Sequence, residues 1–149
     1  MLEKQELYNG CQSFVDRRLQ TVESIILSNQ KALQSETKSS AGDKHETGRA
    51  MLQLEMEKAG QQLSGITQMK EVLAKINLEN KSTIAHLGSV VITDKVNYFI
   101  AISAGKLTAC GKDYFAVSPI SPIGKVLLGK QKGAIIKYNN LQIEIKNVV

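Results

Sequence analysis

The spacing of apolar residues changes once along this chain, near His86, and that change sets its architecture. Before it, Val15, Leu19, Val22, Ile26 and Leu33 recur at four- and three-residue intervals, with Asn29 as a polar lapse. Tyr8 stands one heptad ahead of Val15, and Cys11, Phe14 and Ile25 flank the stripe. Leu52, Met56, Ala59, Leu63, Ile66 and Leu73 repeat the pattern, with Lys70 as the lapse and Met69 and Ile76 widening the face. Such a repeat is the seam of a coiled coil. It predicts one helix over residues 2–35 and a second from about Lys44 to Asn77, roughly 50 Å long at ~1.5 Å per residue. A short connector makes the two antiparallel neighbours, with the break between them at the hairpin tip. Asn29 is expected to face Gln61 or Gln62 and to fix the register.

Beyond His86 the runs become short and rich in β-branched and aromatic residues. Residues 89–93, 97–102, 106–109, 114–117, 134–138 and 141–145 read as strands divided by Gly, Asn, Asp and Lys. Asn139-Asn140 is a two-residue hairpin signal. One helix is expected among them: Ser121 can cap it, Pro122 suits its first position, Ile123, Val126 and Leu127 give an apolar face, and Gly129 ends it. The fold class is therefore α+β, with an antiparallel two-helix coiled coil over residues 1–80 and an antiparallel sheet with one short helix over 81–149. A sheet domain of that size has a marginal core of its own. Contact with the base of the hairpin should support it.

Hydrophobic content of 42% and charged content of 22% are ordinary for a soluble globular protein. With no run of about 18 apolar residues, and no apolar stretch in Met1–Glu6, the expectation is a cytoplasmic protein with no membrane contact. The net charge of +5 is unevenly placed: through residue 80 ten Lys or Arg meet eleven Asp or Glu, and from Lys81 onward nine meet three. The basic half has no Arg-rich or aromatic-interleaved stripe for specific nucleic-acid readout, but its charge suits a large polyanionic assembly. Cys11 and Cys110 lack metal-ligand or disulfide-framework spacing and read as buried apolar thiols. His45 and His86 have no companions at metal-ligand spacing.

Asp43-Lys44-His45-Glu46 places two carboxylates three residues apart on the polar break between the helices. Asp at an N-cap with Glu at N3 is a helix-starting arrangement, so the pair has a structural use as well as a chemical one. Lys38 and Arg49 lie nearest the tip, with Arg17, Arg18 and Lys31 further down. They form either a basic contact face or a solvated coiled-coil surface.

The segment Ser118-Pro119-Ile120-Ser121-Pro122-Ile123-Gly124-Lys125-Val126-Leu127-Leu128-Gly129-Lys130-Gln131-Lys132-Gly133 resembles a motif of the GreA/GreB transcript cleavage factors of bacterial RNA polymerase. The order of parts and the tip spacing of Asp43 and Glu46 extend the resemblance over nearly the whole chain. It implies a coiled coil joined to an FKBP-like domain, acting as a monomer. The domain would dock on the polymerase through Ser121, Pro122 and Lys125 while the hairpin enters the secondary channel.

The resemblance further implies that Asp43 and Glu46 position a catalytic Mg²⁺ shared with RNA polymerase, none being bound in isolation. Lys38, Lys44 and Arg49 would then lie near the channel and, indirectly, the RNA 3′ end. No enzyme activity of its own is implied; the factor would stimulate hydrolysis by the polymerase. The chain departs from the family in Thr47-Gly48-Arg49-Ala50, where Asn-Ala-Glu-Tyr is usual, and in Ile120, where the docking loop is often polar or acidic.

Other classes are a secondary-channel regulator or inhibitor without cleavage stimulation, and a structural adaptor. A prolyl isomerase needs several aromatics in one pocket, and Tyr98-Phe99 and Tyr114-Phe115 are adjacent pairs that a strand points to opposite faces.

Overall fold

The computed structural model of the protein describes the backbone of residues 2–38 and 42–149 and the side chains of 2–35 and 47–149. The chain forms two compact units, Met1–Phe14 with Lys70–Val149, and Val15–Met69.

Two long helices make the N-terminal hairpin, α1 over Leu2–Lys38 and α2 over Gly42–Ala74. In the Val15–Met69 unit the seam is the heptad set: Val15, Val22, Ala59 and Ile66 are buried, and Leu19, Ile26, Leu52, Met56 and Leu63 are half-buried beside them. Burial at seven-residue steps on both helices is what a two-stranded seam requires. Ile25 lies off the seam and is 39% exposed.

Asn29 falls in that register and is buried, but its Nδ2 has no hydrogen-bond partner among the described residues, and Gln61 and Gln62, expected to face it, are exposed. A buried donor left unmatched costs roughly 1–3 kcal/mol. Asn29→Leu is therefore expected to raise stability by about that amount, read as a higher unfolding midpoint by circular dichroism. An unchanged or lower midpoint would contradict the assignment.

The other unit is built on a six-stranded sheet in the order β3-β4-β2-β1-β6-β5. Its strands are β1 (Val90–Thr93), β2 (Asn97–Ile100), β3 (Gly105–Ala109), β4 (Lys112–Val117), β5 (Ile135–Tyr138) and β6 (Leu141–Val148). The sheet is mixed, correcting the antiparallel expectation: β2 and β4 run parallel, pairing Tyr98 with Phe115 and Ile100 with Val117. The cause lies in the connection after β2. Ala104 N–H bonds back to Ile102 O at 2.9 Å, a three-residue turn that sends β3 to the sheet edge. β4 returns through the gap left between β3 and β2. It does so from a tight turn at Cys110 and Gly111, whose φ angles of 50° and 76° suit a two-residue hairpin. Asn139 and Asn140, with φ of 51° and 64°, make the corresponding turn between β5 and β6 as expected.

Both sheet faces carry buried residues within this unit. On one, Val91, Tyr98, Ile100, Ile136, Ile143 and Ile145 pack with Ile123 and Leu127 of a short helix, α3 (Pro122–Leu127). On the other, Val90, Phe99, Tyr114 and Ala116 are buried on the side where the first turns of α1 lie: Tyr114 Oη donates to Glu3 at 3.0 Å, and Gly10 sits against Leu107. Tyr8 Oη donates to Leu73 O at 3.1 Å, tying the foot of α1 to the end of α2. The small sheet thus gains its second core layer from the helix ends.

Candidate functional site

The segment between β4 and α3 is held by its own serines. Ser121 is the N-cap of α3: its Oγ accepts from Gly124 N–H at 3.1 Å and donates to Ser118 O at 2.6 Å. Ser118 Oγ accepts from Ile120 N–H at 3.2 Å, and Ser118 N–H donates to Ser103 Oγ at 3.3 Å. Pro122 occupies the first helical turn, where its missing N–H is no loss. At the other end Gly129, at φ 79°, donates to Ala85 O at 2.8 Å, and Ala85 N–H donates to Lys130 O at 2.8 Å. This pair of bonds fixes the end of α3 to the chain leading into β1.

What the loop presents is a mixed apolar and cationic surface. Ile120 is 80% exposed, Pro122 and Lys125 are exposed, and Ser121 is half-buried because its hydroxyl serves the cap. Ile123 and Leu127 face inward, so Lys125 is left on the outer side of the helix. The three residues expected to dock a partner therefore lie on one short element, with Ser121 chiefly a structural part of it. Ile120 is the most exposed large apolar side chain among the described residues. An isoleucine in place of a polar loop residue was the sequence signal for it.

The acidic pair lies on the other expected site. Gly42 begins α2, so the backbone of Asp43 and Glu46 falls in the opening turns of that helix, three positions apart. Asp43 is thus one residue inside the helix rather than its cap. The side chains of Lys38, Asp43, Lys44 and Glu46 lie outside the described residues. Arg49 is exposed on α2.

The foot of α1 holds charged groups that the heptad count passed over. Lys4 is buried to 2% exposure, with Nζ donating to Asn80 O at 3.3 Å, and burial lowers its pKa. Leu7, not Tyr8, is the fully buried residue here. Lys4 stands one heptad before Cys11, so extending the stripe back by seven would have found it. Cys11 is buried, and burial pushes its thiol up to about 12. Burial, then the Glu3 carboxylate, does the same to Tyr114, also to about 12. Cys110 is exposed, against expectation, because it forms the β3–β4 turn instead of ending a strand inside the sheet; its N–H donates to a Glu6 carboxylate oxygen at 2.8 Å.

Among the described residues no helix is long and apolar enough to cross a membrane. Comparison of the chain with protein families, curated proteins and solved structures finds no match.

Proposed function

We propose that this chain is a cytoplasmic, monomeric factor of the GreA/GreB kind, which binds bacterial RNA polymerase and stimulates its cleavage of backtracked RNA. Its sheet unit would be the FKBP-like docking domain of that family. The observation that supports this best is the acidic pair: Asp43 and Glu46 stand three positions apart where α2 begins, on the far side of the break from α1. Residues three apart on a helix share a face, so one ion can meet both carboxylates.

The donor set fits the metal. Mg²⁺ takes hard oxygen ligands in octahedral geometry and keeps several waters, so two carboxylates complete a site only when a partner supplies the rest. The ion, held jointly with the polymerase, would orient water for attack on the RNA phosphate. Asp43 and Glu46 would hold that ion in place, and the start of a helix suits their negative charge. Lys38, Lys44 and Arg49 would bring positive charge toward the RNA and the channel wall. Ser121 would stiffen the docking loop while Pro122 and Lys125 contact the polymerase.

The test is a stalled, backtracked elongation complex given the purified chain. Binding to polymerase and shortening of the RNA from its 3′ end, with no hydrolysis when polymerase is left out, are expected. Binding without shortening would instead favour a secondary-channel inhibitor, and no binding would end the proposal.

A further inference from the structure

Away from both sites, an aromatic ring is left open on the sheet. Phe115 of β4 lies on the same face as Tyr98 and Ile100, but outside the cluster covered by α3, and is 38% exposed. Around it lies a concavity of about 260 Å³ lined by Lys95, Val96, Asn97, Lys106, Asp113 and Phe115. Lys106 is the cross-strand partner of Phe115, and Thr108 that of Asp113, which places Lys106 and Asp113 on the ring's face.

The rim is fixed. Thr93 Oγ1 accepts from Lys95 N–H at 3.1 Å and from Val96 N–H at 3.0 Å, holding the β1–β2 turn. Asp113 accepts from Thr108 Oγ1 at 3.0 Å and pairs with Lys106 at 3.2 Å, and these contacts keep its carboxyl below the usual range. Both ammonium groups keep donors to spare. Lys106 spends one on Asp113, and Lys95 stands 3.7 Å from Asp94, beyond hydrogen-bond length, while Asp94 already accepts from Glu144 N–H at 2.9 Å.

We propose that this concavity binds a nucleoside phosphate, with the base stacked on Phe115, the phosphate held by Lys95 and Lys106, and Asp113 accepting from a base amino group or ribose hydroxyl. An open ring beside exposed cations is the stacking-and-phosphate combination used on single strands. The volume lies just below the ~300–1,000 Å³ of drug-sized clefts, which suits one nucleotide. An acidic peptide would use the lysines but has no use for the aromatic floor. The site is independent of the acidic pair, so it stands or falls apart from any effect on polymerase.

The shared chemistry is that of a free nucleotide or of one unpaired residue in an RNA strand. Saturation-transfer NMR on the full chain, with AMP in one arm and a short oligoadenylate in the other, separates them. Saturation is expected at the base protons; response to AMP alone marks a nucleotide site, and response only to the oligomer marks a strand site. Phe115→Leu keeps an apolar side chain but removes the stacking face, and should weaken binding about tenfold. Lys95→Gln with Lys106→Gln should weaken it and flatten its salt dependence. Circular dichroism melts confirm that the variants fold. Absence of saturation at millimolar ligand, unchanged affinity in folded Phe115→Leu, or equal competition by oligoglutamate would overturn the assignment.

Discussion

Gly124→Ala is expected to destabilise the sheet unit by about 4 kcal/mol, a drop of roughly 16 °C or more in its melting midpoint. A Cβ on Gly124 would lie 1.9 Å from Ser118 O and 2.9 Å from Ser121 Oγ. The first of these is a backbone atom, so no rotamer change relieves the clash. The loop would have to move, breaking the contacts of Ser121 Oγ with Ser118 O at 2.6 Å and Gly124 N at 3.1 Å. Because the same serines shape the loop carrying Ile120 and Pro122, any folded fraction should also bind more weakly to the polymerase proposed as its partner. A melting midpoint within about 2 °C of wild type would show that the cap is not held as described.

Alkaline pH is expected to weaken the same unit strongly. Cys11 is raised from 9.0 to about 12 and Tyr114 from 10.0 to about 12, both fully buried, while Tyr98 is also raised by burial. Each acid keeps its proton longer in the folded chain than in the unfolded one. Between the two pKa values the folded state therefore binds more protons, and stability falls as pH rises. Each fully shifted group contributes a slope of about 1.4 kcal/mol per pH unit, up to about 4 kcal/mol for Cys11 and about 3 kcal/mol for Tyr114.

Lys4 opposes this. Its pKa is lowered by burial, so the unfolded state binds more protons below 10.5 and stability gains there as pH rises. The two large upward shifts outweigh it once pH passes 10. Urea midpoints should fall steadily from pH 10 to pH 12, and Cys11→Ala should remove about one group's share of that slope. Flat or rising midpoints across that window would contradict the burial of these groups.

Most elements were legible because their periods are unambiguous. The four-three stripe gave both helices, with α1 ending at Lys38 against 35 expected and α2 at Ala74 against Asn77. Ser121, Pro122 and Gly129 marked α3 through local backbone chemistry, and Asn139-Asn140 marked its hairpin the same way. The parallel pairing of β2 with β4 was not legible, because strand order depends on where a turn sends the chain and not on the period of either strand. Nor was the Cys110-Gly111 turn, since cysteine carries little turn preference. Lys4 was hidden by its charge: a residue type that usually takes its head to water is here buried at the foot of α1. Of the candidate sites, Ser121, Pro122 and Lys125, expected to dock a partner, lie together because one capping motif holds them. Phe115 and its lysines come from two strands and one turn, and only the register assembles them.

The central claim is that two carboxylates at the start of α2 act on RNA held by another enzyme. The direct measurement compares wild type with Asp43→Asn/Glu46→Gln in a backtracked polymerase complex, reading polymerase affinity and RNA cleavage rate on the same samples. Affinity should be unchanged and the cleavage rate should fall about a hundredfold or more, as loss of several kcal/mol of metal positioning requires. Full-rate cleavage by a variant that still binds would contradict it.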